Sequence, residues 1–129
     1  MKNSISDREI LALPTRYRCE GKTHRELKDL ANRIMEQAGF PIRLQEHRNS
    51  DLVGFKDGEV TCVEIQTTSN HSVFNTLRNH LAGADRTVLL AANEQVRQQI
   101  SEQVTKRVPL RMLARVKVTT LENLFEALQ

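Results

Sequence analysis

The sequence predicts a mixed α/β fold with elements in the order αβββαβαβα. Three observations carry that expectation. A capped amphipathic helix pattern opens at Thr23. Strand-like stretches flank an Asp57-Gly58 turn, the signature of an antiparallel hairpin. The rest of the chain alternates helical stripes with short apolar runs, as strands of a parallel sheet do. The expected architecture is a mixed central sheet with helices on both faces.

Residues 1–22 form an N-terminal extension and 23–129 the domain proper. Within the extension, "DREILAL" fits a short helix that stops before Pro14, and "PTRYRCEGK" reads as a loop. Thr23 serves as N-cap of the first domain helix, with Glu26 three residues on completing a capping box. Leu27, Leu30, Ala31, Ile34, Met35 and Ala38 make its apolar stripe, and Gly39 ends it. Strands follow at about Ile42 to His47, Asp51 to Lys56 and Glu59 to Gln66. The next helix spans roughly Ser72 to Ala82, with Val73, Phe74, Leu77 and Leu81 as its buried edge and Asn75, Arg78 and Asn79 on other faces. "DRTVLLAA" is a strand buried on both sides. Val96, Ile100 and Val104 mark a further helix and "RVKVTT" a further strand. "TTLENLFEAL" is a final helix, capped by Thr119 with Glu122.

The chain has 129 residues, the length of one domain. Its net charge of +3 permits a nucleic-acid partner without requiring one. The charge is uneven: between Gln103 and Leu121 stand Lys106, Arg107, Arg111, Arg115 and Lys117 and no acid. Cys19 and Cys62 have no ligand spacing, which argues against a zinc knuckle or a disulfide framework. The N-terminus lacks the apolar region of a signal peptide, and no apolar run approaches the ~20 residues of a membrane span. The expectation is a cytoplasmic protein with no membrane partner. The histidines show no metal-binding spacing, although His24 and His71 fall where they could lie near a site.

The segment "SDLVGFKDGEVTCVEIQTT" carries the functional signal. With a two-residue turn at Asp57-Gly58, Lys56 opposes Glu59, Phe55 opposes Val60 and Val53 opposes Cys62. Asp51 then opposes Glu64. Side-chain alternation puts Asp51, Val53, Phe55, Val60, Cys62, Glu64 and Gln66 on one face. Directly opposed residues stand about 4.5–5.5 Å apart at Cβ, so two ionised carboxylates there repel. A cation between them, or an arginine beside one of them, removes that cost. Mg²⁺ suits the first arrangement because it takes oxygen ligands and keeps several waters.

Asp51 followed by Glu64-Ile65-Gln66 resembles the signature of the PD-(D/E)XK nuclease superfamily, the restriction-endonuclease-like fold. The αβββαβ order is similar to that superfamily's core, here with an additional strand and a C-terminal helix. A weaker likeness, through "NTLRNHLAGADRTVLLAANE", is to nuclease-like domains of conjugative-transfer and helicase ATPases. The resemblance implies a DNA endonuclease using Mg²⁺ or Mn²⁺. Asp51 and Glu64 would be metal ligands, aided by the backbone carbonyl of Ile65. Gln66 would take the place of the usual lysine, and Glu26 that of an auxiliary acid. Thr67, Thr68, Ser69, Asn75, Arg78 and Asn79 would be placed to meet nucleic-acid phosphates, and Arg16 and Tyr17 are further candidates for DNA contact. Two departures stand out: Ser50 replaces the proline before the first acid, and Gln66 brings no positive charge. The second expectation is therefore a catalytically silent nuclease-fold module that binds DNA or protein in a larger DNA-transfer or helicase machine. A homodimer fits double-strand cutting or junction resolution.

Overall fold

Leu27, Ala31 and Met35 recur at helical spacing and drive the first helix onto a sheet. The computed structural model describes residues 20–47 and 50–129. In it, helix α1 spans Glu20–Gln37 and strands β1, β2 and β3 span Ile42–His47, Ser50–Lys56 and Glu59–Gln66. Helix α2 (Ser72–Leu81), strand β4 (Arg86–Ala91), helix α3 (Glu94–Arg107), the short helix α4 (Leu110–Leu113) and strand β5 (Val116–Thr119) follow. A 3₁₀ turn, Leu121–Asn123, leads into helix α5 (Leu124–Ala127).

The strands form one mixed sheet in the order β1-β2-β3-β4-β5. β1, β2 and β3 are antiparallel neighbours, whereas β3, β4 and β5 run parallel. Asp57 (φ 53°) and Gly58 (φ 80°) both adopt left-handed backbone, which gives the β2–β3 turn the twist that suits a two-residue hairpin. The resulting register pairs Lys56 with Glu59, Phe55 with Val60, Val53 with Cys62 and Leu52 with Val63.

Alternation along the strands divides the core in two. Leu52, Val63, Ile65, Val88 and Leu90 face α1 and α5, where Leu27, Ala31, Met35, Phe40, Leu124 and Leu128 complete one buried cluster. Leu89 and Ala91 face the other way, toward Val73, Ile100, Val104, Val108 and Met112. Val53 and Cys62 share that second side and pack on Ala84. The molecule is thus an α/β fold with helices on both faces of a five-stranded mixed sheet.

Several sequence expectations need correction. α1 begins at Glu20, so Thr23 lies inside the helix and not at its cap; its Oγ1 has no hydrogen-bond partner among the described residues. Residues 20–22 of the expected loop are accordingly helical, while the "DREILAL" helix, the rest of that loop, Arg16 and Tyr17 lie outside the described residues. Phe74 and Leu81 are exposed, 60% and 85%, because α2 turns Ser72, Val73, Thr76 and Asn79 inward instead. Thr119 belongs to β5 and caps nothing; its hydroxyl donates to the Thr120 carbonyl. The last helical segment breaks into a 3₁₀ turn and a single α turn.

Candidate functional site

Asp51 and Glu64 sit just beyond the last paired residues of β2 and β3, Leu52 and Val63. There the ladder ends in side-chain bonds. The Asp51 carboxylate accepts the Ile65 amide hydrogen through Oδ2 at 2.7 Å. The Asp51 amide in turn points at Glu64 Oε1, 3.5 Å away. The two acids therefore meet as the hairpin register requires.

Glu64 is almost fully buried, 3% exposed. Its Oε2 accepts a hydrogen bond from Asn79 Nδ2 at 2.7 Å and lies 3.4 Å from the Arg78 guanidinium. Asn79 is itself fixed, since its Oδ1 accepts from the Ser50 hydroxyl at 3.0 Å. Burial pushes the Glu64 carboxyl above the ordinary glutamate range. The Asn79 hydrogen bond opposes that rise, the Asp51 charge adds to it, and Ser50 and Arg78 pull back down. The other acid has a different partner: His24 of α1 places Nε2 3.1 Å from Asp51 Oδ1.

Gln66 shares the face of the two acids and is buried. Its amide is fully engaged. Nε2 donates to the carbonyls of Thr68 and Asn70, both at 3.0 Å, and Oε1 accepts from Asn75 Nδ2 at 2.8 Å. The residue thus ties the β3–α2 loop to the sheet end and to the first turns of α2.

These groups line an open cleft of about 240 Å³. Asp51, Glu64, Ile65, Gln66, Thr67, Thr68, Asn75 and Arg78 all border it, and so do His24 and His71. Ile65 turns its side chain into the α1-side core, which leaves its backbone as the part that can serve the cleft. Glu26 is not part of the wall. Two residues along a helix rotate a side chain by about 200°, so α1 can present His24 to the acids or Glu26, but not both. Ser69 does not line the cleft; its hydroxyl accepts from Gln103 at 3.4 Å.

Asn79 is the residue that sequence reading misplaced. It is buried against Glu64 and faces neither solvent nor a backbone phosphate. The available signal was the run Ser72, Thr76, Asn79: small polar residues at helical spacing, opposite the acids of the sheet. Ser50 is part of the same chain of bonds. Among the described residues no three His, Cys, Asp or Glu side chains form a ready-made metal centre, and no helix is long and apolar enough to cross a membrane. No family model, curated protein or solved structure matches the chain.

Proposed function

We propose that the chain is a metal-dependent DNA endonuclease domain with a restriction-endonuclease-like αβββαβ core. The observation that carries this reading is the meeting of Asp51 and Glu64 at the sheet end inside an open cleft. Asp51 Oδ1, which His24 Nε2 approaches at 3.1 Å, and Glu64 Oε1 are the oxygens outside the 2.7 Å internal bonds, and the Ile65 carbonyl is the third candidate ligand. This all-oxygen donor set fits Mg²⁺ or Mn²⁺, and a divalent ion would also relieve the repulsion that the Asp51 charge exerts on Glu64. When bound, such an ion activates water for attack on phosphorus and offsets charge on the phosphate oxygens.

The chain's own residues do the positioning. The Ile65 amide and Asn79 lock one oxygen of each acid, so the remaining oxygens are aimed without further ordering. His24 stands where it can hold or pass a proton beside Asp51. Arg78 supplies the positive charge nearest the cleft floor, the charge that Gln66 lacks. Thr67, Thr68 and Asn75 border the phosphate path.

The test is cleavage of single-stranded, duplex and branched DNA in Mg²⁺ and in Mn²⁺ by wild type and by Glu64→Ala. Metal-dependent cleavage lost in the variant, with the fold retained, is the expected result; equal cleavage by both proteins overturns it. A second reading is a catalytically silent module that binds DNA or protein. The full commitment of the Gln66 amide and the pairing of both acids by protein groups favour it. Calorimetric titration with Mn²⁺ separates the two, since the silent module takes up DNA but no metal.

A further inference from the structure

Phe74 is an anomaly on α2. It stands 60% exposed one turn before Arg78, on a helix that turns Ser72, Val73, Thr76 and Asn79 inward. It lines a recess of about 320 Å³ between α2 and α3, together with His71, Leu77, Gln103 and Arg107. His71 borders both this recess and the acidic cleft, so the two adjoin. Arg78 bridges them as well: its guanidinium carbon lies 5.7 Å from the Phe74 ring centre, and the same side chain reaches Glu64. Arg107, in the last turn of α3, adds a second guanidinium to the recess wall.

We propose that this recess seats one unpaired nucleobase of the strand whose backbone lies in the acidic cleft. The inference rests on the nuclease-fold reading and narrows its substrate to nucleic acid with a single-stranded or splayed nucleotide. An exposed aromatic ring flanked by guanidinium groups matches what a nucleobase needs. The ring stacks on the base face, and the cations meet the phosphates on either side. A base inside a duplex is already stacked on both faces and cannot reach Phe74, so duplex gains nothing from it. Charge complementarity selects this occupant over an apolar peptide, because the recess wall sets His71, Gln103 and the Arg107 cation beside Phe74, Leu77 and Val73.

The test measures fluorescence anisotropy of labelled oligothymidylate, the same strand with abasic positions, and a duplex, all in EDTA. The proteins are wild type, Phe74→Ala and Phe74→Tyr, and each is also assayed for Mn²⁺-dependent cleavage. Phe74→Ala should weaken oligothymidylate binding roughly tenfold, and Phe74→Tyr should restore it to within about twofold. Duplex binding should stay the same in all three, and the abasic strand should bind all three equally. Unchanged oligothymidylate binding by Phe74→Ala, a parallel loss on duplex, or no nucleic-acid binding by wild type overturns the proposal. Cleavage with no effect of Phe74 removes the base site alone. Phe74-dependent binding without cleavage removes the nuclease activity alone.

Discussion

Asp51 on β2 holds the Ile65 amide of β3 through its carboxylate, at 2.7 Å. The acid therefore closes the ladder as well as facing the cleft, and the two roles can be separated. Asp51→Ala orphans a buried amide hydrogen and should cost about 1–3 kcal/mol. Asp51→Asn keeps an acceptor oxygen and should cost less than half as much. On the proposed function both variants lose metal-dependent cleavage. Urea denaturation read beside the cleavage assay checks this; a stable but active Asp51→Asn would remove Asp51 from the metal site.

Glu64 gives a pH signature. Its folded pKa is raised, chiefly by burial. The folded state therefore binds the proton more tightly than the unfolded chain, and stability falls as pH rises from the unfolded value through the folded one. Glu64→Gln removes that titration while keeping an acceptor for Asn79. The variant's stability relative to wild type should increase as pH is raised from about 4 to 7. Denaturation midpoints across that range test it, and a difference flat in pH would show that Glu64 titrates normally.

The β-strands were legible because a two-residue turn and strict alternation leave one register that keeps Leu52, Val63 and Ile65 on one side. Placing Asp51 beside Glu64 followed from the same arithmetic. Helix ends were less legible. Thr23 and Thr119 each precede a glutamate by three residues, yet the chain continues as helix through the first and as strand through the second. Capping is worth about 1 kcal/mol, and packing of a whole element overrides it. The pairing of the acids was less legible for another reason, although His24 was expected near the site and Asn79 carried a spacing signal. Asn79 and His24 belong to helices on opposite sides of the sheet, and only the tertiary fold sets which turn of each reaches the strand ends.

Gly54 lies under a close approach of α1 and Phe40 to the sheet. A Cβ there would lie 2.5 Å from Met35 Cε and 2.7 Å from Phe40 Cδ2. Both neighbours are fully buried, so neither can swing into solvent. Gly54→Ala should destabilise the fold by about 1–3 kcal/mol through overpacking. Met35→Ala is itself destabilising, but the double variant should lose less than the sum of the two single losses, since the two side chains compete for one volume. Thermal melts of the single and double variants measure the coupling; strictly additive losses would refute the contact.

Gln66→Lys introduces a cation at the sheet end and tests whether chemistry or architecture holds the glutamine. The amide supplies two donors to loop carbonyls and one acceptor to Asn75. A lysine keeps donors but offers no acceptor, which strands the Asn75 amide and buries a charge at a position only 4% exposed. The substitution should cost about 2 kcal/mol or more. Faster amide hydrogen exchange over residues 67–71 should accompany it, because the loop loses its tie to the sheet. Cleavage should fall, not rise, if Gln66 acts by holding Thr68 and Asn70 in place. A stable and more active Gln66→Lys would instead mean that the cleft tolerates the cation and that its absence limits the reaction.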